Sequence, residues 1–368
     1  MNAQQYDIQS RSKPLPVHVA KAADFALGAP RPIEPAQLIA PTWSLYCFDM
    51  DMHEAIFVEL PEDTDLGQAT FAYSQQFEQA LSVASLPLET FLRIGEQLPL
   101  PETVAFLFST GRCGSTLASR IFGKVPDVYS ISEPDCLTNL VFARYKTEQG
   151  LMRRLLSAAT RFIALAGGGA RHMVIKPRSE LSFMIEAVAR ALPDARHVFM
   201  YRDAVRYTNS LFRLAQRASR SPEFLEDPEA RQLVWYFASA DAPESQKAAY
   251  LAPGQTEISN LETMVLAWLM RIEAAQHAAR NGVAIMPLHY DDLSTNREAE
   301  TARLLAACGI SPEHTGFGLQ GFEQDAHAGG VTANSVPAQD LSEAQIANVK
   351  NMLQRLGQRD YAETRLKL

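Results

Sequence analysis

Cysteine is scarce in this chain: Cys47, Cys113, Cys136 and Cys308 are scattered through 368 positions. None forms a Cys-x-x-Cys pair and none has a histidine at zinc-ligand spacing, which argues against both a disulfide framework and a structural zinc site. An apolar run of about 18 residues, enough for a membrane span, occurs nowhere. The opening MNAQQYDIQSRSKPLPVHV also lacks the apolar stretch of a secretory signal, so the expectation is a cytoplasmic protein with reduced thiols. Net positive charge is missing too. A formal charge of -8 argues against a broad nucleic-acid surface and leaves only a local basic pocket for one small anion.

What is present is a 47% hydrophobic chain of ordinary globular composition, long enough for one large domain or two smaller ones. Residues 1–41 carry Pro14, Pro16, Pro30, Pro32, Pro35 and Pro41, a density that breaks helix and sheet and predicts an irregular arm. Apolar alternation in WSLYCFDMDMHEAIFVEL, from Trp43 to Leu60, predicts a β-hairpin, and Phe71 to Leu98 shows helical periodicity. Together they suggest a small α+β module over 42–101.

After Pro101 short apolar runs alternate with amphipathic stretches. The runs are Val104–Phe108, Val128–Ile131, Met173–Ile175, His197–Tyr201 and Val283–Met286. Such a pattern predicts an α/β domain over 102–368, a mostly parallel central sheet with flanking helices that takes ligands beyond its carboxyl edge. Within it, 216–280 reads as a helical acceptor-side or lid insertion.

Two segments carry chemistry. The first, VAFLFSTGRCGSTLASRIF, is a buried-type strand, a turn with Gly111 and Gly114, and a helix. Exposed N–H groups and the dipole of a helix start favour an anion there. A nucleotide triphosphatase loop needs lysine directly after its last glycine, but Ser115 follows Gly114 and the cation sits at Arg112. Arg112, Ser115 and Thr116 suit a terminal phosphate or sulfate. Cys113 reads as a small filler, because no histidine lies nearby in sequence to activate it.

The second segment is HVFMYRDAVRYTNSLFR, where Arg202 ends a strand and Ser210 lies near the first turns of a helix. Arginines at 196, 202, 206, 213, 217 and 220 face one acidic residue, Asp203, over this stretch. In an acidic protein that is a local anion funnel.

STGRCGSTL paired with YRDAVRYTNSLFR resembles the two-part donor site of sulfotransferases that use 3′-phosphoadenosine 5′-phosphosulfate (PAPS), most nearly the tyrosylprotein sulfotransferases and bacterial relatives. That family orders a loop arginine, a strand-end Glu, a Lys, then an Arg and Ser pair. This sequence offers Arg112, Glu133 in SISEPD, Lys176 in MVIKPRS, Arg202 and Ser210. The likeness covers about residues 103–213, and Tyr290 in LHYDDLSTNREAETARLLAACGI extends it. It implies a P-loop-like architecture with Arg112, Cys113, Gly114, Ser115, Thr116, Arg202, Ser210 and Tyr290 on the donor. The tail AHAGGVTANSVPAQDL departs from the basic Gly-rich closing motif of animal cytosolic members.

Sulfuryl transfer from a phosphosulfate anhydride is an in-line displacement that needs one base and one cation. Glu133 is the candidate base; Lys176 and Arg112 are the candidates to meet charge on the bridging and sulfuryl oxygens. His172 and His197 each start a strand, at the wrong end of the sheet. Asp49, Asp51 and His53 have the atoms for a metal site, but alternation in a strand makes them one solvated hairpin face. Trp235, Tyr236, Phe237, Tyr250 and Trp268 read as core aromatics. The implied partner is a small-molecule or peptide acceptor bearing a hydroxyl, with an amine left open as the alternative nucleophile; no nucleic acid and no membrane span are expected, and a homodimer is left open. A small-molecule kinase and a non-catalytic nucleotide-binding scaffold are the competing readings.

Overall fold

The computed structural model describes residues 3–15, 17–219, 234–236, 238–239, 248–323, 338–357, 365–366 and 368. Two sheets organise it. The first is antiparallel and comprises β1 (Gln4–Arg11), β2 (Phe25–Leu27), β3 (Arg31–Pro32), β4 (Trp43–Asp49), β5 (Glu54–Glu59) and β6 (Ser82–Pro87). Its order is β2-β1-β6-β5-β4, with β3 also paired to β1. The second is parallel and comprises β7 (Thr103–Ser109), β8 (Val128–Ser132), β9 (His172–Lys176), β10 (Arg196–Tyr201) and β11 (Met286–His289), ordered β11-β10-β7-β9-β8.

The hairpin expected over Trp43–Leu60 is β4 and β5, paired from Trp43 opposite Glu59 to Asp49 opposite Glu54. Two amino-terminal expectations need correction. Gln4–Arg11 is not irregular but a sheet strand, because β6 supplies hydrogen-bond partners to Gln4–Asp7. Phe71–Leu98 is not helical throughout: α1 (Ala72–Gln79) and α2 (Leu88–Gly95) flank β6. Asp49, Asp51 and His53 lie around the hairpin tip rather than along one strand face; the tip is closed by the Met52 N–H donating to Asp49 Oδ1 at 2.9 Å.

Strands β7 to β10 match the predicted apolar runs. The last does not: the strand is Met286–His289, three residues later than Val283–Met286. Pro287, which cannot donate to a ladder, is tolerated because β11 pairs only with β10 at the sheet edge. Both faces of the parallel sheet are covered, so alternate residues of β7 enter different cores. Val104, Phe106 and Phe108 face one; Ala105 and Leu107 face the other, with Ala118, Ile121 and Phe122 of α3 (Ser115–Gly123).

The first of these cores continues into the antiparallel sheet. Phe57 of β5 and Phe91 of α2 pack on Phe162 of α4 (Gln149–Leu165) with ring centroids 5.2 and 4.8 Å apart. Apolar burial therefore fastens the amino-terminal sheet to one face of the parallel sheet. A long helix, Asn260–Arg280, starts at a capping box between Ser259 and Glu262 and is buried from Thr263 through Ile272. That burial places this part of the expected lid in the core. Trp235 and Trp268 are buried as expected; Tyr236 instead stacks on Phe142 at 4.7 Å while half exposed. Phe237, Arg220 and most of the tail from Ala326 lie outside the described residues.

Candidate active site

The chain leaves β7, builds β8 and β9 on one side, then crosses to β10 and β11 on the other. The carboxyl end of β7 is thus the switch point at which an open parallel sheet forms a crevice. The turn at 110–114 sits there and leads directly into α3. Gly111 and Gly114 take φ of 79° and 77°, and Arg112 between them takes 50°. A left-handed conformation is costly for a side-chain-bearing residue, and Arg112 is one of four non-glycine examples among the described residues. Glu133 is another, with φ of 56°.

The strained loop aims its groups in different directions. Cys113 turns into the core, is fully buried, and its Sγ lies 3.4 Å from the Met200 carbonyl oxygen. Burial pushes its thiol pKa up, which fits a filler and leaves only its backbone for a ligand. Arg112 instead reaches across the crevice, and its Nε donates to Ser210 Oγ at 3.1 Å. Ser210 lies on α5 (Ala204–Ser219). Burial lowers the Arg112 pKa, while Tyr207, Cys113 and Glu133 act in the opposite sense. Ser115 is buried at the first position of α3, and Thr116 follows it half-buried.

Tyr290, just after β11, closes the loop from the other side. A Cβ on Gly114 would lie 2.3 Å from Tyr290 Cδ2, so the ring rests on the glycine itself. The Arg202 guanidinium lies 4.9 Å from the centroid of the same ring. Trp268 Nε1 donates to the Arg202 carbonyl oxygen at 2.8 Å and fixes the backbone there. Arg202 Nε, however, is buried with no hydrogen-bond partner among the described residues. A buried charged donor left over in this way is costly unless a ligand completes it.

Glu133 and Lys176 meet at the adjoining strand ends. Parallel pairing places Ser132 opposite Lys176, so the residue after β8 and the last residue of β9 are level. The Glu133 N–H donates to the Lys176 carbonyl oxygen at 2.6 Å, and Lys176 Nζ forms an ion pair with Glu133 Oε1. The lysine side chain is 3% exposed and the glutamate 17%. Pro177 ends β9 directly after Lys176 and keeps it at the edge. His172 and His197 lie at the opposite edge: His172 Nδ1 is 2.8 Å from Thr103 Oγ1, and burial lowers the His197 pKa to about 4.

Of the residues singled out from the sequence, Arg112, Gly114, Ser115, Thr116, Glu133, Lys176, Arg202, Ser210 and Tyr290 therefore lie on or beside one carboxyl-edge crevice, whereas His172, His197 and the Asp49, Asp51 and His53 group do not. Arg112 pairs with Ser210, Glu133 with Lys176, and Tyr290 bridges Gly114 and Arg202. Sequence reasoning missed Trp268 as a backbone clamp on Arg202, a contact from a distant helix. It also passed over Asp135 and Arg178, although the segments SISEPD and MVIKPRS contain them. Arg178 Nε and Nη2 donate to Asp135 at 2.5 and 2.8 Å. Among the described residues no group of three or more His, Cys, Asp and Glu side chains is placed to hold a metal ion, and no helix is long and apolar enough to cross a membrane.

Comparison with known proteins gives one family: the model described as Sulfotransferase family matches residues 105–314. Curated proteins give no match. Among solved structures, a sulfotransferase from Alicyclobacillus acidocaldarius is 14% identical at a TM-score of 0.38, covering 72% of this chain and 98% of its own. Sulfotransferase STF9 from Mycobacterium avium is 11% identical at 0.41, covering 80% and 84%. A retinol dehydratase in complex with androsterone and inactive cofactor PAP is 11% identical at 0.36, covering 73% and 85%.

Proposed function

The chain belongs to the sulfotransferase family, and from that premise we propose that it transfers a sulfuryl group from PAPS to a hydroxyl-bearing acceptor. The observation that carries this reading is the Glu133–Lys176 ion pair at the strand ends beside the glycine turn. It supplies an acid–base group and a cation at one place.

The crevice suits a small, highly charged donor. Left-handed glycines let the turn backbone approach an anion, the start of α3 adds N–H groups, and the buried Arg202 Nε lacks a partner among the described residues. In this reading Gly114, Ser115, Thr116 and the Cys113 backbone hold the phosphosulfate end. Arg202 and Ser210 hold the second phosphate, with Tyr290 packed against both parts. The bound donor supplies the activated sulfur–oxygen bond.

Glu133 takes the proton of the acceptor hydroxyl as its oxygen closes on sulfur. Lys176 and Arg112 meet the negative charge that builds on the bridging oxygen as its bond to sulfur breaks, and adenosine 3′,5′-bisphosphate leaves. Arg112 must release Ser210 to do so, and Lys176 must turn from Glu133 toward the donor. The acceptor is a small molecule or peptide, the compartment is the cytoplasm, and no step calls for a metal.

Turnover, followed as bisphosphate release from PAPS with a panel of hydroxyl acceptors, tests the reading. Glu133→Gln is expected to lower it by about 100-fold or more while leaving bisphosphate affinity nearly unchanged. Undiminished turnover would remove Glu133 from the chemistry.

A further inference from the structure

Two residues beyond the ion pair, the same two strand ends repeat it. Glu133-Pro134-Asp135 follows β8, and Lys176-Pro177-Arg178 starts from the last residue of β9, so each acidic residue has a basic partner at the same offset. Asp135 is fully buried, and Arg178 binds it through two nitrogens. A third segment keeps the same step of two: Phe71-Ala72-Tyr73, at the start of α1. Lys176 Nζ lies 5.4 Å from the Phe71 centroid and the Arg178 guanidinium 4.0 Å from the Tyr73 centroid. Phe71 and Tyr73 stack, 5.6 Å apart and 18° from parallel. Carboxylate, cation and aromatic ring thus form two stacked rungs.

The rungs differ in exposure. Asp135, Arg178 and Tyr73 are buried, whereas Phe71 is half-buried and Glu133 keeps some access to solvent. The buried rung is also tied to the amino-terminal chain: Arg178 Nη1 donates to the Val17 carbonyl oxygen at 2.7 Å, and the Ala20 N–H donates to Asp135 Oδ2 at 2.9 Å. This rung fixes where α1 begins, and hence where the Phe71 ring stands relative to Lys176 and Glu133.

We propose that Phe71 is a specificity-determining residue on the acceptor side of the site, and that Asp135, Arg178 and Tyr73 are positioning residues that hold it there. This rests on the sulfotransferase reading of the same crevice. A ring beside the proposed base favours an acceptor whose hydroxyl is carried on a flat apolar body, because ring-on-ring packing and water exclusion act only on such a body. A phenol or related aromatic hydroxyl fits that description, and a free sugar does not.

The test uses the full chain saturated with adenosine 3′,5′-bisphosphate and titrated with 2-naphthol or with glucose. 2-Naphthol is expected to bind more tightly than glucose. Phe71→Ala should weaken 2-naphthol about 10-fold, Phe71→Trp should restore it, and bisphosphate affinity should stay the same in both. Asp135→Asn should also lower 2-naphthol affinity more than bisphosphate affinity, a split that general loosening of the fold would not produce; if that variant does not fold, the Phe71 pair decides. Equal affinity for 2-naphthol in wild type and Phe71→Ala, or no preference over glucose, overturns the proposal. Failure of the bisphosphate itself to bind would instead strike the sulfotransferase reading.

Discussion

Gly114→Ala is the smallest change that probes the loop geometry. The added methyl meets two separate obstacles. Its backbone stands at φ +77°, where an L side chain costs about 1–2 kcal/mol. Its Cβ would also fall 2.3 and 2.5 Å from Tyr290 Cδ2 and Cε2, far inside ordinary contact, so the rigid ring must move. Overpacking of that kind costs about 1–3 kcal/mol. The sum, about 2–5 kcal/mol, is measurable by urea unfolding. Because Tyr290 also lies against Arg202, moving the ring should weaken adenosine 3′,5′-bisphosphate by about 10-fold or more. Gly123→Ala, at the far end of the same helix with nothing within 4 Å of the new carbon, is the control and should be neutral or stabilising by up to about 1 kcal/mol. In the double variant with Tyr290→Ala the clash disappears and the φ strain remains, so the two costs should separate as a coupling energy. Gly114→Ala as stable as Gly123→Ala, with bisphosphate affinity intact, would refute this account of the loop.

Other expectations follow from the buried groups. Asp135→Ala leaves Arg178 charged and buried without its carboxylate, so unfolding should become about 3–5 kcal/mol easier; a loss under about 1 kcal/mol would mean that solvent reaches the pair. His197 is buried with its pKa lowered to about 4 from 6.5. The unfolded chain takes up a proton below pH 6.5 that the fold refuses until about pH 4, so stability falls as pH falls through that window, by up to about 3 kcal/mol. His197→Phe, packed like the parent against Phe106 and Phe108, should lose that part of the acid sensitivity. Parallel stability curves for the two proteins from pH 7 to 4 would contradict it.

The parallel sheet was legible because strands covered on both faces read as unbroken apolar runs, and the polar residues at their carboxyl ends are the ones that line the crevice. β1 was not legible. QQYDIQSR is largely polar, and what makes it a strand is pairing with β6, more than seventy residues away along the chain. β6 is not separable from its helical flanks by periodicity, because a short apolar run has no decisive period. The last strand is Met286–His289 rather than Val283–Met286, and Pro287 is accepted within it because the strand lies at the sheet edge. Within the site, pairs on one loop or on neighbouring strand ends could be read from spacing. Contacts made by Trp268, Phe71 and Tyr73 could not, since each comes from an element far off in sequence.

The most direct test of the central claim is calorimetric titration with adenosine 3′,5′-bisphosphate, alongside ATP with magnesium and 5′-AMP. Tight binding of the bisphosphate alone, weakened about 10- to 150-fold by Arg202→Ala as for lost hydrogen bonds to a charged group, is the expected result. Equal affinity for the three nucleotides, or indifference to Arg202→Ala, would contradict the donor site and bring the kinase or scaffold reading forward.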